Sequence, residues 1–386
     1  MRLVLRMLLV VATVSLSSVG ALAEEGSHYF PGASGSFIDV LPVNLGTSTF
    51  AYANESIYYH GSNIHSGVNA TTYSDASAFL YQFPRAISFL PGKPQYSVAL
   101  AVPYTWLQVH THPVVNSKGA VVFSGRDTDN GFGDVVMFPF MLGWSNIGSE
   151  CVDKIPRLTY VLQYQTQLGI YAPTGNFDSK SLANVGKNFW TFEPGVALSL
   201  LRIPYVGNIP LPLEFTTSAG FDFNTRNSAT RYQTGDQFHL DGTLALVMPV
   251  DKVGTAVGVG VSGFFYQQIT DDSVRGVSVR NFEAMTTGVG PDLSFIRNLS
   301  EKLHIAAEVK WLPELSVSNR LQGNAVWFKI AFAWLPSVPQ PKCPKQAIAP
   351  FAAGAPYAAV APYTSATPFA VVPQPSANAL SALLSF

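Results

Sequence analysis

The chain has 386 residues, of which 47% are hydrophobic and only 12% charged, with 26 Phe, 16 Tyr and 6 Trp. That charge content is about half of what soluble domains usually carry, and so many aromatics exclude a disordered chain. A net charge of −1 provides no basic face, so nucleic acid is excluded as a partner. So few charges for so much apolar surface point to a solvent other than water.

The first element is a leader. Arg2 and Arg6 precede the apolar run Met7 to Val14, and Ala21-Leu22-Ala23 is a small-x-small cleavage site. Residues 1–23 therefore read as a secretory signal peptide, with the mature chain starting near Glu24. After the leader no run of 18 apolar residues occurs, so no helix is expected to cross a membrane. An exported protein that nevertheless lives in a bilayer must be a closed barrel, because only barrels and helices satisfy every backbone group in hydrocarbon. Residues 24–44 are Gly- and Pro-rich and hold Tyr29, Phe30, Phe37, Ile38, Val40, Leu41 and Val43 without alternation. They are too apolar to hang free, and we read them as a plug segment at the periplasmic mouth.

Strict alternation begins beyond that segment. Tyr96, Val98, Leu100, Val102, Tyr104 and Trp106 share one parity against Ser97, Ala99, Ala101, Pro103 and Thr105. Tyr160, Leu162, Tyr164, Leu168 and Ile170 stand against Gln163, Gln165 and Gln167, and Leu240, Leu244, Leu246 and Met248 against His239 and Asp241. Val326, Phe328, Ile330, Phe332 and Trp334 close the series, facing away from Lys329. Period 2 means strands, and an apolar face backed by a polar one suggests lipid outside and water inside. Tyr96 and Tyr104 are about 26 Å apart along a strand at ~3.3 Å per residue, which suits two interfacial aromatic girdles once the strand is tilted. The alternating segments are 45–59, 78–90, 95–108, 131–144, 158–171, 187–203, 212–225, 235–250, 253–268, 280–296, 302–314 and 321–334. This predicts an all-β fold, a closed antiparallel transmembrane β-barrel of about 12 strands over residues 45–335. Short turns after strands 2, 8 and 10 alternate with longer connections after strands 1, 3, 5, 7 and 9, as expected for periplasmic turns and outer loops. Residues 336–386 contain 10 Pro, 13 Ala and two charges, Lys342 and Lys345. They read as an extended Pro/Ala-rich tail.

Short motifs of catalysis or cofactor binding do not survive their context. Gly258-Val-Gly260-Val-Ser-Gly263 matches a dinucleotide fingerprint, but Val257, Val259 and Val261 make it one strand, not a strand-turn-helix. Asp127-Thr-Asp129-Asn130-Gly131 starts like a calcium loop and then has Phe138 where a bidentate Glu is required. His110-x-His112 has no third ligand nearby in sequence. GxSxG, HExxH and GxxxxGK[ST] do not occur. No catalytic residue, cofactor or metal is expected; the alternative readings are a structural or adhesive barrel, and a barrel hydrolase that assembles Ser, His and Asp from separate strands. By parity the lumen-facing set is Gln163, Gln165, Gln167, Glu193, Glu214, Asp222, His239, Asp241, Asp292, Glu308, Lys310 and Lys329. Eight-stranded barrels are filled by side chains and sixteen-stranded ones hold channels, so a twelve-stranded barrel should have a narrow, partly obstructed pore.

Several short motifs, in order, resemble one family. They are His28-Tyr29-x-x-Gly32, Gly131-Phe-Gly133-Asp134, Pro173-Thr174-Gly175 with Gly186 and Asn188, Tyr232-x-x-Gly235-Asp236 and Gly288-x-Gly290-Pro291, followed by the aromatic last strand. Over about residues 26–334 the chain resembles the outer-membrane proteins of the "Putative meta-pathway of phenol degradation". The resemblance implies a twelve-stranded barrel in the outer membrane of a Gram-negative bacterium, with outer-membrane lipid around it. It also implies that small hydrophobic or aromatic solutes cross through it, and it brings no catalytic residues. One departure is that 52 residues follow Trp334, where such barrels usually end.

The two cysteines, Cys151 and Cys343, complete the reading. Paired thiols in an oxidising compartment tend to become disulfides. With the N-terminus periplasmic, the connection holding Cys151 and the segment just past strand 12 holding Cys343 fall on the same side. A disulfide between them is expected, drawing the start of the tail across the periplasmic opening.

Overall fold

The computed structural model describes residues 27–34, 48–63, 67–115, 121–152, 155–206, 209–251, 255–280, 283–300 and 302–334. Twelve strands build the wall. They are β1 (Thr49–Asn63), β2 (Val68–Ala86), β3 (Gln95–Val115), β4 in two segments (Val121–Phe132 and Val135–Val152), β5 (Ile155–Ala172) and β6 (Thr191–Arg202). The second half is β7 (Leu213–Asn224), β8 (Gln237–Pro249), β9 (Ala256–Gln268), β10 (Met285–Asn298), β11 (Leu303–Ser318) and β12 (Gln322–Trp334). Each strand pairs antiparallel with its sequence neighbour, and β1 pairs with β12 from Phe50↔Trp334 to Ser62↔Gln322. The wall is therefore closed, and no row of backbone groups is left unpaired at an edge.

We call the rim where β1 begins and β12 ends the base, and the opposite rim the top. Leu100, Leu244, Leu246, Phe328 and Val326 point outward and are exposed, as are Phe50, Tyr81, Phe83 and Trp334 near the base and Tyr58, Tyr73, Trp106, Phe192 and Phe223 towards the top. An apolar band with aromatics at both margins is the outer surface of a transmembrane barrel.

Three strands depart most from the sequence-based boundaries. β2 starts at Val68 instead of residue 78, β3 continues to Val115 instead of residue 108, and β4 runs from Val121 to Val152 instead of 131–144. Except for the base end of β4, these additions are at the top, where outward positions such as Asn69, Thr71, Arg126 and Thr128 need not be apolar. Alternation fades there although the ladder continues, so strand reads as loop. The connections after β1 and β3 are correspondingly short. The interruption of β4 also has a local cause. It falls opposite Pro103 of β3, which has no N–H to donate, and Gly133 N bonds to the Pro103 carbonyl at 3.0 Å.

The expected water-filled interior is corrected by the lower half of the barrel. Ala51, Ala53, Ala78, Leu80, Ala99, Ala101, Val136, Phe138, Met141, Leu201, Val247, Ile296, Ala306, Ala331 and Ala333 form one buried apolar cluster on the inner face. Alternation in side-chain size shows which parity meets lipid, but an alanine on the other parity suits water or a packed interior equally. Gly258, Gly260 and Gly263 lie within the single strand β9, with Val259 and Val261 exposed between them.

At the base, Cys151 is exposed near the end of β4; Cys343 lies outside the described residues, as do 1–26, 35–47 and 335–386.

Arginine at Leu100 or Leu244 should cost roughly 2–4 kcal/mol, as expected at a lipid-facing mid-strand site. Alternation alone suggests that Ala99→Arg is milder. Its place in the apolar inner cluster predicts instead a loss of the same order or larger, because the charge meets neither water nor a partner. Ser228→Arg, in an exposed top loop, should change stability by less than about 0.5 kcal/mol. Reversible urea unfolding in detergent measures all four.

Candidate functional site

All twelve residues assigned to the lumen by parity are on the inner face and buried, none more than 8% exposed. The structure also places inside the wall a stretch of chain whose path sequence does not reveal. Residues Ser27–Ser34 lie within the ring of strands, with Ser27, His28, Tyr29, Phe30, Ala33 and Ser34 buried.

The path of this segment follows from one turn. Phe30-Pro31-Gly32-Ala33 has a 3.0 Å bond from Ala33 N to Phe30 O, and Gly32 has φ +80°. Proline at the second position and positive-φ glycine at the third define a type II turn. Gly32 is doubly required, since a Cβ there would come within 2.0 Å of Leu312 Cδ1.

The turn presents its polar groups to two separate arcs of the wall. On one side Asp241 of β8 accepts from Tyr29 OH at 2.7 Å, Gly32 N at 2.9 Å and Ser34 Oγ at 2.8 Å. On the other side Trp327 Nε1 donates to Pro31 O at 3.0 Å and Lys329 Nζ to Ala33 O at 2.6 Å. Lys310 Nζ reaches Gly32 O at 3.5 Å. The same lysines meet carboxylates, Lys329 with Glu55 at 3.5 Å and Lys310 with Glu308 at 3.4 Å. Between these arcs Phe30 packs with Ile57, Tyr59, Phe264, Leu312 and Trp327, and Tyr29 stacks on His239 at 4.2 Å.

His28 anchors the near end. Its ring bridges Thr191 Oγ1 at 2.7 Å and Asp134 Oδ2 at 3.0 Å, and stacks on Tyr171. Asp134, in the break between the two segments of β4, also accepts from Gly175 N at 2.8 Å and Lys187 N at 2.7 Å. One carboxylate thus gathers three motifs that are far apart in sequence: His28, Gly133-Asp134, and Gly175 with Gly186, whose backbones touch.

The acidic pair Asp127 and Asp129 has a structural use. Asp127 Oδ2 accepts from Leu182 N and Ala183 N, and Asp129 Oδ2 from Val185 N, clasping the top loop 173–190 to β4. His110 lies in β3, opposite Arg126 of β4. Glu314 receives Tyr59 OH and Gly323 N near the top and pairs with Arg320 at 3.4 Å.

Parity reasoning missed Glu55, Tyr59 and Glu314. In β1 aromatics occupy both parities, Tyr52 and Tyr58 outside and Tyr59 inside, so the pattern did not say which face was which. His28 and Asp134 had a signal, since both belong to the short motifs that carry the family resemblance.

A family model described as "Putative MetA-pathway of phenol degradation" matches residues 53–330. The chain belongs to that family. The matched span runs from β1 to β12 and includes Asp134, Asp241, Lys310 and Lys329. Among solved structures, an outer membrane channel from Pseudomonas putida F1 is similar at 14% identity, over 77% of this chain and 98% of that one, with a TM-score of 0.48. The β domain of the Bordetella autotransporter BrkA is 12% identical over 75% and 99%, with a TM-score of 0.40. The Pseudomonas putida toluene transporter TodX is 9% identical over 82% and 97%, with a TM-score of 0.34. Among curated proteins none matches this chain.

Two changes should unseat the inner segment. Asp134→Asn removes charge from three hydrogen bonds, worth about 1.5–3 kcal/mol where a charged group is involved, and should speed amide exchange in residues 27–34 by roughly 10–150-fold. Gly32→Val should do at least as much. Hydrogen exchange read by mass spectrometry measures each outcome.

Proposed function

We propose that this barrel sits in the outer membrane and mediates passage of small hydrophobic or aromatic compounds, without catalysing a reaction on them. The observation that carries the proposal is the inner wall of its lower half, lined by Ala, Val, Leu, Met and Phe. Barrels that conduct water-soluble solutes have polar interiors, whereas an apolar wall solvates an apolar solute and gives ions and sugars no compensation for lost water. The family's pathway name, phenol degradation, agrees with an aromatic cargo.

In this reading the base faces the periplasm, the leader is removed near Glu24, and Ser27–Ser34 belongs to an N-terminal plug. The segment is hydrogen-bonded to separate arcs of the lumen at once, so solute passes when those bonds open. The expected Cys151–Cys343 disulfide remains part of the proposal, supported by the position of Cys151 at the base rim.

In liposomes, toluene or phenol should cross faster with the protein than without it, while sugars should not. Sugar flux equal to aromatic flux, or no protein-dependent flux, would reject the function. Deletion of residues 26–40 should raise single-channel conductance, and unchanged conductance in a folded barrel would reject the plug. For the disulfide, unreduced protein treated with an alkylating reagent should carry no label on either cysteine, and two labelled cysteines end that reading.

A further inference from the structure

One cluster in the lumen has more negative charge than its neighbours offset. Glu193 of β6, Asp222 of β7 and His239 of β8 come from three adjacent strands, brought together by the registers Gly195↔Gly220 and Gly220↔His239. The glycines leave room for them, since a Cβ at Gly220 would lie 2.5 Å from His239 Nε2. His239 Nε2 is 3.8 Å from Glu193 Oε2 and 3.8 Å from Asp222 Oδ1. One ligand atom from each of the three residues lies within 4.8 Å of the others.

Those separations are too long for hydrogen bonds. They are close to what co-ligands of one ion require, because atoms bound at about 2.1 Å are about 3.4 Å apart around a tetrahedral centre. A small inward rotation of the two carboxylates closes the difference.

A second observation comes from Asp222 itself. It is 1% exposed, and among the described residues no hydrogen-bond partner reaches either of its oxygens. Both ring nitrogens of His239 are in the same position. A buried carboxylate without donors is costly, and such a group in a native protein calls for an ion or water beside it. His239 cannot offset the charge alone, because it faces Glu193, Asp222 and also Asp241, whose Oδ2 is 3.9 Å from Nδ1. The lumen's lysines are engaged elsewhere, Lys310 and Lys329 with Glu308, Glu55 and the carbonyls of the inner segment.

We propose that Glu193, Asp222 and His239 bind one divalent transition-metal ion of the zinc class. Imidazole suits zinc and its neighbours among the first-row metals, and two carboxylates complete a set of three protein ligands. The surroundings resemble those of metal ligands in general. Asp241 faces the second imidazole nitrogen, and Tyr171 OH donates to Glu193 Oε2 at 2.6 Å, so histidine and carboxylate are both oriented from behind. Tyr29 stacks on the ring of His239. The ion therefore ties β6, β7 and β8 together beside Tyr29 of the inner segment. It does not depend on the transport reading.

The test uses the full-length barrel, stripped with chelator, dialysed and titrated with zinc while bound metal is counted by elemental mass spectrometry. The wild type should take up one zinc per barrel. Asp222→Asn and His239→Gln should each lower affinity at least 100-fold, and Asp241→Asn, which acts through the histidine, by about 10–100-fold. Zinc should raise the unfolding temperature of the wild type and not that of Asp222→Asn. Retention of the compact, heat-modifiable band on unheated gels shows that each variant is folded. A folded wild type that binds no zinc stoichiometrically overturns the proposal, as does uptake that Asp222→Asn leaves unchanged.

Discussion

Closure of β1 on β12 is the constraint from which the rest of this structure follows. In lipid an unpaired strand edge has no water to turn to, so the ladder must run all the way round. Once it does, every strand has an outer face that meets hydrocarbon and an inner face that must be dealt with by the protein alone. The outer problem is solved simply, by large apolar side chains with aromatics at the two margins. The inner problem is solved in two ways within one barrel. Near the base, small and medium apolar residues pack into a cluster. Higher up, charged groups appear, and those around Asp241, Lys310 and Lys329 are matched to one another and to a piece of backbone.

That piece of backbone explains why the charges are where they are. Asp241 takes three donors from the Tyr29–Ser34 turn, and Lys329, Lys310 and Trp327 give donors to its carbonyls. A peptide segment in a closed lumen carries N–H and C=O groups that would otherwise be orphaned, each at a cost comparable to a lost hydrogen bond. The inward carboxylates and ammoniums thus serve as the segment's partners. The aromatic contacts of Tyr29 and Phe30 fill the space between.

Aromatic and charged side chains share this level of the lumen, above the apolar wall. The inner segment is held there by hydrogen bonds and aromatic contacts, whereas the wall below is held by close packing, so different kinds of force act at the two levels.

The alternation of Leu100 with Ala99, or Leu244 with Ala245, was enough to establish strands, a barrel and the lipid-facing parity, because hydrocarbon demands a large apolar side chain at every second position. It was also enough to put His239, Asp241, Lys310 and Lys329 indoors. It could not tell a packed interior from a wet one, since Ala99 and Ala331 are neutral on that question. Nor could it extend β2 to Val68 or β4 to Val121, since strand above the membrane no longer needs an apolar outer face. What only the tertiary structure decided is who meets whom across the lumen. His28 finds Asp134, Tyr29 finds Asp241, and Glu193, Asp222 and His239 find one another through ladder registers and a Pro-Gly turn. The first two contacts join residues more than a hundred positions apart and the third joins three separate strands, so no local pattern along the chain encodes them.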